Sequence, residues 1–182
     1  MKWFHENGRH YPWRSESNPF KILIAEIMLQ RSRADQVLPI YTRFISKWND
    51  AESLSSAHID EISTIFAGLR LLWRSKLVLE MAKTIQEKHK GRVPSQRSEL
   101  LDVPGVGDYI ADAMLVFAFK KKRTIVDSNV VRLVTRFFGI EIKGETRRNK
   151  DFIKFCNALT ERLPLSQERE SDIKTEIAEE HN

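Results

Sequence analysis

Cysteine is nearly missing from this chain: Cys156 is the only one in 182 residues. A single thiol excludes an internal disulfide, and it excludes any metal or iron–sulfur site built from cysteines alone within these residues. Cys156 falls on the apolar side of the helical pattern DFIKFCNALTERL and reads as a small buried hydrophobe. The five histidines show no ligand spacing. There is no HExxH, and no HxE paired with PCxxC, so zinc hydrolase and zinc deaminase chemistry have no support. Nowhere do 18 apolar residues run together, and the leading MKWFHENGRHYPWR lacks an apolar h-region. The expectation is a soluble, cytoplasmic protein with no membrane contact. Strand patterns are also scarce, so GVGDYI is not a dinucleotide-binding GxGxxG, which needs a strand before it.

What the chain does have is a basic body and helical periodicity. It carries 30 Lys+Arg against 25 Asp+Glu, a net charge of +5. Residues 166–182 hold six acids and two bases, so residues 1–165 carry +9. A basic body fits a polyanionic partner. Asn18-Pro19 opens a helical run from Phe20 to about Leu29, with Ser17 or Asn18 as N-cap and the proline in the first turn. Further helices are predicted at 34–48, 51–56, 59–67, 74–89, 97–101, 108–119, 129–138 and 150–162, with a weak one at 167–180. Gly68, Gly91, Pro94, Gly139 and Gly144 punctuate them. Short helices joined by short connections give an all-α fold.

The richest stretch is LLDVPGVGDYIADAMLVFAFKKKRTIVDSNVVR, residues 100–132. A helix beginning near Asp108 leaves its first backbone N–H groups without intrahelical partners, and its dipole favours an anion there. Gly105 and Gly107 are expected to supply φ freedom for the turn and let a phosphate approach without a Cβ in the way. Val106 between them is placed to staple the two helices. Such contacts position a strand without reading its bases. Taken alone, VDSNV reads as a helix N-cap at Asp127. Glu26 interrupts the apolar run ILIAEIML, and a carboxyl in such surroundings is expected to have a raised pKa.

LDVPGVGDYIADAMLVFAF followed by IVDSNVVRLVTRFFG resembles the helix-hairpin-helix (HhH-GPD) DNA glycosylase superfamily. YPWR, NPFKILIAEIMLQRSRADQVLPIYTRF and the Gly68–Arg74 element resemble the same family, in the same order. The resemblance covers roughly residues 3–165. Within the superfamily the chain looks closest to the mismatch-specific branch: the adenine glycosylases (MutY) and the thymine/uracil glycosylases of thermophilic archaea that act on G:T mismatches. The likeness implies two small helical subdomains with the active site between them. One spans 20–135 and contains the hairpin at about 99–120; the other combines 1–19 with 136–182.

The resemblance also implies roles. Asp127 matches the catalytic aspartate and Glu26 the glutamate of the base pocket. Tyr109 stands where bifunctional relatives carry a Schiff-base lysine, which implies hydrolysis without lyase chemistry. Gly105, Val106 and Gly107 match the phosphate grip, Gln30 and Arg31 the residues pressed into the minor groove, and Leu71 or Leu72 the inserted wedge. The LRLLW segment reads equally well as core. Asn129 is expected to hydrogen-bond near Asp127 or the sugar. Lys120, Lys121 and Lys122 read as a solvated, phosphate-facing cluster.

The implied partner is double-stranded DNA carrying a mispaired or damaged base, bound by a monomer associated with the nucleoid of a bacterium or archaeon. The implied activity is base excision of thymine or uracil opposite guanine. Adenine excision from A:G or A:8-oxoguanine pairs is the alternative, and an inactive DNA-binding module or partner subunit is an alternative of another class. No cofactor is expected, because the [4Fe–4S] cysteines of most relatives have no counterpart in these residues. A monovalent cation on hairpin carbonyls would leave no side-chain signature.

Overall fold

The computed structural model describes residues 7–69, 72–140, 146 and 149–162. Its described elements are nine α-helices and two short 3-10 turns. The helices are α1 (Pro19–Leu29), α2 (Ala34–Lys47), α3 (Ala51–Ser55), α4 (Ile59–Phe66), α5 (Trp73–His89), α6 (Arg97–Leu101), α7 (Asp108–Phe117), α8 (Ser128–Phe138) and α9 (Lys150–Arg162). The predicted helix at 167–180 lies outside the described residues. Predicted starts and ends agree within about two residues, because caps and prolines mark most of them. At α1 the Asn18 side chain accepts from Phe20 N at 2.9 Å, with Pro19 at the first helical position. At the end of α5, Lys90 and Gly91 take left-handed φ of 54° and 77°, and Gly91 N–H donates to Ile85 O at 3.1 Å, which closes the helix.

The chain forms two compact units, Met1–Lys120 and Lys121–Asn182. The division drawn from the sequence resemblance places its boundary elsewhere. Within the first unit Trp13 stacks on Tyr11 at 4.9 Å and meets Tyr41 of α2 edge-on at 5.3 Å.

In the first unit α1 is the central helix. Phe20, Ile22, Leu23, Ile24, Ala25, Ile27 and Met28 are all buried, so it is apolar nearly all round. It packs on α2 and α7. The outer helices bury one face each: Val37, Tyr41 and Phe44 on α2, and Val78, Met81, Ala82 and Ile85 on α5. These are the i, i+3, i+4 and i+7 positions of an amphipathic helix, and each large side chain contributes roughly 1.5–3 kcal/mol on burial. Ala111 and Ala113 sit with Ile110, Met114 and Leu115 on the buried face of α7, where small side chains let helices approach closely.

The second unit holds α8 and α9. Asn149 caps α9 by accepting from Asp151 N and Phe152 N at 3.0 and 2.9 Å, and Phe152 and Cys156 are buried. Burial raises the Cys156 thiol above its ordinary pKa, which makes it less reactive. Phe138 packs edge-on against Phe137 at 4.9 Å and Phe155 at 5.1 Å. Lys122 Nζ donates to Glu161 O, and Thr124 and Thr160 share a hydroxyl hydrogen bond. No residue of α8 is buried, and Leu133 and Phe137 are 67% and 78% exposed. No helix of the described residues is long and apolar enough to cross a membrane.

Candidate active site

Asp127 sits immediately before α8 with extended backbone. Its Oδ1 accepts from the backbone N–H groups of Asn129 at 2.8 Å and Val130 at 2.7 Å, and its Oδ2 accepts from Asn129 Nδ2 at 3.2 Å. Two amide donors and the positive end of the helix dipole fix one oxygen, while Asn129 orients the other. The carboxylate is therefore held in one direction by its own helix. The N-cap reading and a catalytic placement are compatible.

Glu26 lies on α1 with buried residues on both sides, Ala25 and Ile27. It is half-buried, and neither a hydrogen bond nor an ion pair to its carboxylate occurs among the described residues. Burial without compensation disfavours the charged form and pushes its pKa from 4.5 up to about 7. The sequence expectation rests on the same physics: an acid inside ILIAEIML. At neutral pH such a group can donate a proton.

The hairpin corrects one part of the sequence argument. Gly105 has φ of +85°, a conformation that favours glycine, and a Cβ there would lie 2.8 Å from Leu77 Cδ2. Gly107 has an ordinary φ of −93°, so no backbone freedom is needed there. A Cβ on Gly107 would meet no atom within 4 Å. What Gly107 leaves is open space in front of the first turn of α7. It is the N-cap of that helix, and no side chain caps the turn. Val106 is buried and stapled, its N–H donating to Val103 O at 3.0 Å. Tyr109, the second residue of α7, is 43% exposed.

Arg97, the first residue of α6, ties the two hairpin helices together, and the sequence reading did not find it. Its Nη2 lies 2.5 Å from Asp108 Oδ1 and its Nε 3.0 Å from Asp112 Oδ1. The spacing of Asp108 and Asp112 puts both on one helix face, but nothing in the sequence assigns their partner.

Gln30 is half-buried at the end of α1, and Arg31 beside it is exposed with a left-handed φ of +57°. Leu71 lies outside the described residues. Leu72 and Trp73 are 56% and 61% exposed, so these two residues of LRLLW are not core. Among the described residues that follow, the charged Arg74 is buried, at 1% exposure, as is its neighbour Ser75. No group of three or more His, Cys, Asp or Glu side chains able to hold a metal ion occurs among the described residues. The four-thiolate set of an iron–sulfur cluster does not fit: within 182 residues only Cys156 could serve, and it is buried in α9.

The profile of the family described as HhH-GPD superfamily base excision DNA repair protein matches residues 24–158. An adenine DNA glycosylase of Buchnera aphidicola is 33% identical over 146 residues, 80% of this chain and 42% of its own length. The thymine-DNA glycosylase of Aeropyrum pernix is 32% identical over 143 residues, 78% of this chain and 64% of its own length. The chain thus spans less than two thirds of both. A solved thermostable thymine-DNA glycosylase superposes with a TM-score of 0.82 at 32% identity, covering 92% of this chain and 76% of that one.

Proposed function

Because the chain belongs to the HhH-GPD superfamily of base excision DNA repair proteins, we propose that it is a monofunctional DNA N-glycosylase for thymine or uracil mispaired with guanine. Breaking the glycosidic bond builds positive charge on the deoxyribose while electrons leave with the base. A fixed anion beside C1′ and a proton donor to the base lower that barrier. The orientation of Asp127 is the observation that carries the reading, since three donors aim its carboxylate. Glu26, neutral up to about pH 7, supplies the proton to the leaving base. Water then attacks C1′, and an abasic site remains.

Tyr109 supports hydrolysis without lyase chemistry, because a phenol cannot form the Schiff base that a lysine there would form. The hairpin receives a phosphate at the open first turn of α7. Exposed Leu72 and Trp73 are suited to fill the gap left by a flipped nucleotide. The second reading, adenine excision, is favoured by the identity to the Buchnera protein. The coverage of the thermostable thymine-DNA glycosylase fold favours the first.

The test incubates the protein with duplexes carrying G:T, G:U, A:G and A:8-oxoguanine pairs, followed by alkali. Alkali-dependent breaks at T or U support the proposal, and breaks at A move it to the second reading. Retained binding with no breaks on any duplex leaves a DNA-binding module.

A further inference from the structure

Arg74 is the most deeply buried charged side chain among the described residues, and it has no carboxylate partner among them. A buried guanidinium without a counter-ion is costly, and this one sits in the first turn of α5, where the helix dipole also disfavours a cation. Burial lowers its pKa, and the charge of Arg31 lowers it further. Its Nε–H has no hydrogen-bond partner. These are poor terms for a residue that serves only to stabilise a core.

Its hydrogen bonds show what it holds. Nη1 donates to Ile27 O and Nη2 to Gln30 O, both at 2.7 Å, from a position 47 and 44 residues away. Those carbonyls lie at the C-terminal end of α1, which lacks intrahelical donors and where a cation is welcome. On its other side the guanidinium carbon lies 5.0 Å from the centre of the exposed Trp73 ring. One buried group thus joins two segments that reach the surface: the turn with half-buried Gln30 and exposed Arg31, and the start of α5 with exposed Leu72 and Trp73.

We propose that Arg74 is a positioning residue that locks these two segments at a fixed separation, so that they engage a distorted duplex as one unit. The inference rests on the glycosylase reading. Arg74 itself touches no DNA. Its role is to make the paired segments rigid enough to reward a mismatched duplex over a matched one. A methionine would fill much of the space but donate to neither carbonyl. A lysine can donate to both, with less fixed geometry.

The experiment measures affinity for a G:T duplex and for the matched G:C duplex of the same sequence, at a temperature where circular dichroism shows every variant folded. Arg74→Met should lower the mismatch-over-matched ratio at least tenfold, and Arg74→Lys should recover part of it. Ile85→Val, a core change on the same helix, should lower thermal stability yet leave the ratio within twofold. If Arg74→Met does not fold, Arg74→Gln, which can donate to one carbonyl, should show the loss. A wild-type ratio retained in the methionine or glutamine variant overturns the inference alone. An equal loss in Ile85→Val also overturns it, because general destabilisation would then suffice. A wild-type protein that binds both duplexes equally overturns the inference, whereas the absence of alkali-revealed breaks on every duplex overturns the glycosylase reading.

Discussion

Asparagine at position 127 should separate the helix cap that aspartate forms from the catalytic duty proposed for it. In the structure Oδ1 takes both backbone donors of the α8 cap, and Oδ2 takes the Asn129 side chain. An asparagine oxygen in the place of Oδ1 keeps the cap, because Asn and Asp cap helices about equally well. Its amide nitrogen then faces Asn129 Nδ2, donor against donor, so one hydrogen bond worth about 1 kcal/mol is lost. In a protein of this size that amounts to about 2–4 °C in Tm. The chemical loss is larger. Removing one preorganised group from a developing charge costs about 3–4 kcal/mol, so the rate should fall roughly 100- to 1,000-fold. Alanine at the same position removes the cap as well, costing about 1 kcal/mol more. The assay pairs single-turnover, alkali-revealed cleavage of a G:T duplex with thermal melts of the same preparations. An Asp127→Asn protein within tenfold of the wild-type rate would refute the catalytic assignment. An Asp127→Asn protein as unstable as Asp127→Ala would refute the account of the cap.

Glu26 gives a pH prediction with a defined sign. Its pKa is about 7 in the folded protein and 4.5 in an ordinary setting, so between those values the folded state holds a proton that the unfolded chain releases. The stabilisation is full below about pH 4.5 and lost as pH rises through 7, a span of about 3 kcal/mol. Urea midpoints of Glu26→Gln should therefore be flatter with pH than wild type and higher above pH 7. With Glu26 as proton donor, the wild-type rate should fall about tenfold per unit above pH 7. The two hairpin glycines should separate cleanly. Gly105→Ala meets Leu77 and a φ of +85°, so it should lower stability by about 1–3 kcal/mol in a thermal melt. Gly107→Ala should melt like wild type yet bind DNA more weakly, which a titration at fixed salt would detect. Borohydride added during turnover should trap no protein–DNA adduct, and a trapped adduct would contradict the role given to Tyr109.

Local chemistry wrote most of the fold into the sequence. Asn18-Pro19, the glycines and the 3.6-residue apolar spacing depend on residues a few positions apart, so the helix ends were legible. The same holds for Asp127 as a cap and Glu26 as a half-buried acid, since each is set by its immediate neighbours. The resemblance to a family supplied what periodicity could not, namely which cap and which acid are proposed to carry chemistry.

Distant packing decided the rest. Whether LRLLW is core or surface depends on what lies against it, and the structure exposes Leu72 and Trp73 while burying the charged Arg74. That arginine is held by carbonyls 44 and 47 residues away, and backbone carbonyls have no identity in a sequence. Leu77 beneath Gly105 and the clasp of Arg97 on Asp108 and Asp112 are likewise meetings of separate helices. The sequence by itself determined the helices, their caps and the two acids, because those follow from short-range sterics and burial. Only the tertiary structure determined which glycine needs its left-handed backbone and which cation is buried, because both depend on atoms brought together by packing.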